Sequence, residues 1–359
     1  MPADSPTLDD LGGWADVLTR LTRGGDLGAD VAGAALAEIL RGRATPVQIT
    51  AFIFGLRCKG ETVEEMTGLV RSMLDASTTV PVGAELQGRL VDTCGTGGDR
   101  SGSINVSTIA AVVVAGAGVP VCKHGGRAAS SLAGSADVLE ALGVVIDLGP
   151  QGVARCIEEA GIGFCFAPRY HPAMRYAAPV RRELGVQTVF NFLGPLANPA
   201  RVRRQVVGVG DGSMADLIAG VLAGNGATDL AVVHGADGLD ELTTTGTSTM
   251  VTWSTGSNRG RDAAVTTTVD PRSYGFAPAT LEDLRGGDAA TNARYARQVL
   301  AGDPGAHRDI VLLNAAAGLL VGGAAKDLVA GLDIAARSID TGAAMEALER
   351  LAAVSQQAG

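Results

Sequence analysis

Apolar residues in the first eighty positions recur at helical spacing. Leu11, Trp14, Leu18 and Leu21 make one stripe, and Val31, Ala35, Leu36 and Ile39 another. Thr45-Pro46-Val47-Gln48 reads as a helix start, with threonine as cap, proline in the first turn and glutamine closing a capping box. Thr62-Val63-Glu64-Glu65 repeats the device before Met66, Leu69, Val70 and Met73. The pattern predicts a bundle of roughly four helices up to about Ser77.

After Pro81 the period changes. Arg89–Thr93 reads as a strand, followed by a glycine loop and an apolar helix from near Asn105. Val119–Cys122, Phe164–Phe166, Gln205–Val209 and Leu230–Val233 are further strands, with helices at Ser135–Leu142 and Met214–Leu222. Alternation of this kind predicts an α/β domain with a central, mostly parallel sheet flanked by helices. His171–Leu184 reads as helical without a strand partner and is expected to pack on the helical domain. The division expected is therefore a helical domain over 1–80, joined by a segment near 169–190, and an α/β domain over 81–359. Thr255–Arg261 is polar and reads as a surface turn.

Composition narrows the class. The 359 residues are 46% hydrophobic but only 4% aromatic, so the core must be aliphatic. Lys+Arg of 29 against Asp+Glu of 38 gives a net charge of -9, which speaks against a nucleic-acid or anionic-membrane partner. Five cysteines with no CxxC pair suggest reduced thiols and a cytoplasmic protein. The start, Met1-Pro2-Ala3-Asp4, lacks the features of a signal peptide. The apolar runs Ile109–Cys122 and Ile310–Ala325 are too short, or too rich in Gly and Ala, for a membrane span and are expected to be buried.

Four constellations carry chemistry. The first is Asp92-Thr93-Cys94-Gly95-Thr96-Gly97-Gly98-Asp99 with Ser103-Ile104-Asn105-Val106-Ser107-Thr108. A strand, a loop nearly free of Cβ atoms and a helix N-terminus offer backbone N–H groups to an anion. Neither the Walker signature nor the dinucleotide GxGxxG is present, and on glycine pattern alone an ordinary strand–helix turn is an even alternative. The second, Lys123-His124-Gly125-Gly126-Arg127-Ala128-Ala129-Ser130-Ser131, reads as another anion cradle, with Lys123 and Arg127 to pair phosphate. The third is His234-Gly235-Ala236-Asp237-Gly238-Leu239-Asp240-Glu241-Leu242, whose carboxylates after a strand suit Mg²⁺. A solvated acidic turn is the commoner fate of such a loop alone, and two phosphate cradles in the same chain reverse the preference. The fourth runs from Phe166-Ala167-Pro168-Arg169-Tyr170-His171 through Arg181-Arg182 to Asn198-Pro199, where an arginine among aromatic residues could receive a carboxylate.

Taken together, DTCGTGGD, NVST, KHGGRAASS, GSADVLEALG, FAPRYHPAM, PVRRELG, FNFLGPLANP and HGADGLDEL, in this order over nearly the whole chain, resemble the anthranilate phosphoribosyltransferase family. The resemblance implies a helical domain hinged to an α/β domain, a homodimer formed through the helical part, and two magnesium ions per subunit. It would place phosphoribosyl pyrophosphate on Gly95, Gly98, Asp99, Ser103, Asn105, Val106, Ser107, Thr108, Lys123, His124, Gly125, Gly126, Arg127, Ala128, Ala129, Ser130, Ser131 and Ser135. Ser107, Asp240 and Glu241 would hold the metal. Anthranilate would meet Gly95, Gly126 and Arg181. No side-chain nucleophile is implied; Lys123 and Arg127 would act electrostatically.

Two positions depart from the family pattern: Ser103, where threonine is usual, keeps its hydroxyl, and Gly126 replaces a usual asparagine. The second leaves open another or modified aromatic amine as acceptor. A pyrimidine nucleoside phosphorylase is disfavoured by the Asp240-Glu241 pair, and a catalytically silent paralogue is the alternative from outside enzymology.

Overall fold

The computed structural model describes residues 6–99, 101–128, 132–255 and 264–359. The first helices are α1 (Gly13–Thr22), α2 (Gly28–Leu40), α3 (Pro46–Lys59) and α4 (Val63–Asp75). Both predicted capping boxes form, Thr45 with Gln48 and Thr62 with Glu65. Glu65 does more than cap. Fully buried, it accepts from the Leu27 N–H at 2.9 Å and pairs with Lys59 at 3.0 Å, tying three elements together. α2 and α4 cross so closely that a Cβ on Gly68 would lie 1.9 Å from the Ala29 carbonyl oxygen, so glycine is obligatory there.

The α/β part is a seven-stranded sheet: β1 (Val91–Gly95), β2 (Val121–Gly125), β3 (Ile162–Phe166), β4 (Arg204–Gly208), β5 (Asp229–Gly235), β6 (Ser248–Ser254) and β7 (Val265–Val269). Their order is β3-β2-β1-β4-β5-β6-β7; β1 to β5 run parallel and β6 and β7 antiparallel. The strand order reverses direction between β1 and β4, and open α/β sheets bind ligands at such a switch point, beyond the strands' carboxyl ends.

Two-residue alternation splits β4 and β5 between the faces. Val207, Leu230 and Val232 join a core that continues through the helix Ala215–Gly224 into α1–α4. Val206, Ala231 and Val233 point the other way, onto the helix Ala306–Val321. Val180 and Ala177 belong to the first of these cores, so the segment after His171 does pack on the helical bundle. It is not one helix: Pro172–Tyr176 is a 3₁₀ turn and Ala178–Leu184 an α-helix.

Other strand limits shift. β1 starts two residues later than the sequence pattern suggests and includes Cys94 and Gly95, which pair with Val207 and Gly208 of β4. β2 likewise takes in Lys123 and His124, paired with Phe164 and Cys165. The polar strands β6 and β7 were not anticipated. Of Thr255–Arg261, Thr255 is exposed and the rest lies outside the described residues, as do Met1–Asp4. All five cysteines are unpaired thiols. No helix among the described residues is long and apolar enough to cross a membrane.

Candidate active site

The carboxyl ends of β1, β2 and β5 open into one cleft of about 860 Å³. The glycine loop, the Lys123-to-Ala128 segment, Ser135, Asp240 and Glu241 all line it. The three loops therefore converge, as the sequence pattern required. Thr96 donates its N–H to the Gly208 carbonyl at 2.9 Å, extending the β1–β4 ladder to the cleft. Beyond it the chain turns through Gly97 (φ 65°) and Gly98 (φ 81°), left-handed conformations that favour glycine.

The acidic pair sits beneath that turn. Asp240 accepts from the Gly97 N–H at 2.7 Å and Glu241 from the Ser107 N–H at 3.1 Å, the latter in the first turn of the helix Val106–Gly116. Burial, with the Asp99 charge adding to it, pushes the Asp240 carboxyl up to about 6. Burial and Asp240 itself hold Glu241 well above the ordinary range. Both residues keep partial exposure to the cleft, and desolvation, with Asp99 acting on Asp240 and Asp240 on Glu241, disfavours their charged forms, which a cation would relieve. Among the described residues no cluster of three or more His, Cys, Asp or Glu forms a ready cage. Asp240 and Glu241 supply two carboxylates at the cleft, and magnesium takes one or two carboxylates and completes its shell with water and phosphate oxygens.

Lys123 is nearly fully buried. Its ammonium donates to the Thr93 carbonyl at 2.5 Å and the Ser107 hydroxyl at 3.2 Å, between the two cradles. His124 is equally buried, and its Nδ1 lies 3.0 Å from the Gly194 carbonyl oxygen. A carbonyl only accepts, so Nδ1 carries the proton and Nε2 presents a lone pair, which no described group satisfies. Burial, then the His171 ring, lowers His124 to about 3, so the ring is neutral. A neutral imidazole offering a lone pair suits an N–H or O–H donor, which revises the reading of this side chain as part of an anion cradle.

Three other assignments change. Thr108 is buried, hydrogen-bonded back to Asn105, and does not line the cleft. Arg127 lines it but is paired with Asp137 at 2.7 Å and Glu140 at 2.9 Å, so its charge is already partnered. Arg181 does not line the cleft. It lies on the helix Ala178–Leu184 with its guanidinium 5.4 Å from the Phe190 ring centre, has no ion pair among the described residues, and is pushed down by burial. Ala129, Ser130 and Ser131 lie outside the described residues.

Gly126 faces open space: a Cβ there would meet nothing within 4 Å. By contrast, a Cβ on Gly95 would lie 2.3 Å from the Asp240 carboxylate, and one on Gly208 1.6 Å from the Asp240 carbonyl oxygen. The acidic loop rests directly on these two glycines. Ser101 and Gln187, in connecting segments, and Asn191, on the helix Phe190–Leu196, also line the cleft; single polar residues carry no spacing signal.

The profile described as "Glycosyl transferase family, helical bundle domain" matches residues 15–77, and "Glycosyl transferase family, a/b domain" matches 87–345. The anthranilate phosphoribosyltransferase of Rhodococcus jostii is 52% identical over 346 residues, covering 94% of this chain and 92% of the relative. The chain belongs to the anthranilate phosphoribosyltransferase family. Among solved members, the enzyme from Thermus thermophilus superposes with a TM-score of 0.87 at 39% identity, over 95% of this chain and 99% of that one. The Saccharomyces cerevisiae enzyme, solved in complex with PRPP and Mg, gives 0.83 at 26% identity, over 96% and 98%. The family's two-part architecture, a small helical unit and a large α/β unit on a mostly parallel sheet, is the one seen here.

Proposed function

We propose that this chain transfers the 5-phosphoribosyl group of phosphoribosyl pyrophosphate to the amine of anthranilate, releasing pyrophosphate, as a step of tryptophan biosynthesis in the cytoplasm. The observation that carries this reading is the convergence of two glycine-lined loops and an acidic pair on one cleft at the sheet's switch point.

The glycine loop would bring its backbone close to the donor's phosphates at Gly97 and Gly98, where no Cβ intervenes, while the Gly97 and Ser107 N–H groups stay committed to the acidic pair. Ser107, Asp240 and Glu241 would hold magnesium, two ions per subunit, and bound magnesium would neutralise charge on the departing pyrophosphate. The ribose C1–O bond breaks with its electron pair leaving on pyrophosphate, and the amine lone pair forms the new C–N bond as the nitrogen gives up a proton. The chain need not supply a nucleophile. Its part is preorganised charge and position. Lys123 contributes a fixed ammonium beside Ser107, and Arg181, set against Phe190 outside the cleft lining, would reach an aromatic carboxylate only once the helical unit closes.

The helical unit, 1–80 with 169–190, would close over the α/β unit, 81–359, and keep water from the activated sugar. The same unit supports a homodimer. α3 exposes Val47 (77%) and Phe54 (48%), and Val47 lines a groove with Ala51, Val180 and Leu184 that Thr50 and Glu183 border.

The deciding assay combines the protein with phosphoribosyl pyrophosphate, anthranilate and Mg²⁺. Loss of anthranilate fluorescence matched one for one by pyrophosphate release is expected; no turnover, or pyrophosphate without anthranilate loss, sinks the reading.

A further inference from the structure

Two asparagines on the C-terminal helices are almost fully buried in sites where an apolar residue would be the ordinary choice. Asn292 lies on the helix Ala289–Leu300 and Asn314 on Ala306–Val321, each 3% exposed. Asparagine is a poor helix former, and burying its amide costs free energy unless every polar atom is met. Both amides are met: half of their bonds go to Asn105 and Leu242, beside the cleft, and the rest to Gly287, Asp288 and Ile310.

The Asn292 Oδ1 accepts from the Asn105 N–H at 3.1 Å, while its Nδ2 donates to the carbonyls of Gly287 at 2.7 Å and Asp288 at 3.1 Å. Around this bond the donor loop is laced to the segment before that helix. Ile104 donates to the Leu284 carbonyl at 2.9 Å, and Gly286 to the Gly102 carbonyl at 2.8 Å. Asn314 grips the other loop. Its Oδ1 accepts from the Leu242 N–H at 2.9 Å and its Nδ2 donates to the Leu242 carbonyl at 2.8 Å. Leu242 directly follows Glu241, and both of its backbone groups are taken by one side chain.

We infer that Asn292 and Asn314 are positioning residues: Asn292 fixes the phosphate loop at Asn105, and Asn314 fixes the acidic pair at Leu242. The inference rests on the proposed function for its ligands, but the clasps themselves are independent of it. The two asparagines act on different loops, so their loss separates two properties that general destabilisation would move together.

The experiment uses the full chain with Asn292→Ala or Asn314→Ala. Calorimetry measures phosphoribosyl pyrophosphate binding at saturating Mg²⁺, and the Mg²⁺ concentration that gives half-maximal binding. Asn292→Ala is expected to weaken donor binding about tenfold at saturating Mg²⁺, with the half-saturating Mg²⁺ held within about twofold. Asn314→Ala is expected to raise the half-saturating Mg²⁺ about tenfold, with donor binding largely recovered at high Mg²⁺. Amide hydrogen exchange should quicken in residues 101–108 for the first variant and in 239–245 for the second.

Equal loosening of both loops by either variant, or no change in either, overturns the inference. Should an alanine variant fail to fold, Asn292→Asp and Asn314→Asp keep the acceptor oxygen for the loop N–H and must protect the same loop amide. If the unmodified protein binds no donor at all, the functional reading falls, and the exchange pattern still decides the clasps.

Discussion

The imidazoles of His124 and His171 meet edge to face, 5.1 Å between ring centres, with both residues only 5% exposed. Burial lowers His124 to about 3, helped by His171, and lowers His171 to about 4. Both values lie below the unfolded value of about 6.5, so in acid the unfolded chain binds two protons that the folded chain refuses. Stability is then full above pH ~6.5 and falls as the pH drops toward the folded values. Each histidine contributes about 1.4 kcal/mol per pH unit, so the pair approaches about 2.7. The raised carboxyls Asp240 and Glu241 act in the opposite direction over the same range, so the test is a difference: in urea unfolding at pH 7, 6 and 5, His171→Gln should lose about 1.4 kcal/mol per pH unit of acid sensitivity relative to the unmodified protein. Identical pH slopes in the two proteins would contradict the buried neutral pair.

Gly126 invites a gain rather than a loss. Its missing Cβ would meet nothing within 4 Å, and its backbone is not left-handed, so Gly126→Asn should fold unchanged. An added amide at the cleft gives one more hydrogen bond to a charged substrate, worth about 1.5–3 kcal/mol when well placed. The KM for anthranilate is expected to fall about tenfold or more with the melting temperature unaltered. A higher KM would mean that the open space at Gly126 is itself used by the acceptor.

The helical bundle was readable from the sequence because its signals are local: the capping boxes at Thr45 and Thr62 need only four residues each. Convergence of the three loops was readable because glycines and carboxylates follow strands in order. What escaped was non-local. Lys123 and His124 looked like loop residues because they are polar, yet they complete β2, with buried partners on other elements. β6, in which Thr249 and Thr252 flank Met250 and Val251, is too polar to announce itself and forms because β5 offers it an edge. Asn314 showed only as a polar residue in an apolar helix, and its partner Leu242 is 72 positions away. Arg127 could be read as a phosphate ligand because Asp137 and Glu140, 10 and 13 positions later, gave no hint that they fold back onto it.

The acidic pair gives a direct test of metal dependence. Asp240→Asn with Glu241→Gln keeps the shape and removes both charges, so the Gly97 and Ser107 N–H groups still face an acceptor oxygen. Asp99 repels Asp240 and Asp240 repels Glu241, so neutralising the pair should hold or raise stability. Turnover at saturating Mg²⁺ should nevertheless fall by at least about a hundredfold, in line with loss of a few kcal/mol of electrostatic stabilisation. Retained activity with unchanged Mg²⁺ dependence would remove the pair from the metal site.

Lys123 and Asp92 supply the last prediction. Asp92 is fully buried on β1, held by the Asn198 amide at 2.8 Å and the His124 N–H at 3.2 Å. Burial raises its pKa, and the Lys123 ammonium opposes the rise; the same ammonium also lowers Asp240 and Glu241. One cation thus acts through space on several acids, its direct contacts being the Thr93 carbonyl and the Ser107 hydroxyl. Removing a charged donor from buried hydrogen bonds costs about 1.5–3 kcal/mol, so Lys123→Met should lower the unfolding free energy by that order at pH 7. Asp92→Asn keeps one acceptor oxygen and removes one of the orphaned charges. Added to Lys123→Met, it should restore about 0.5–3 kcal/mol, the usual range for coupled neighbours. Urea denaturation of the two single variants and the double one closes the cycle. If the two losses simply add, to within about 0.5 kcal/mol, Lys123 is not the counter-charge of Asp92, and its burial must be explained by Thr93 and Ser107 alone.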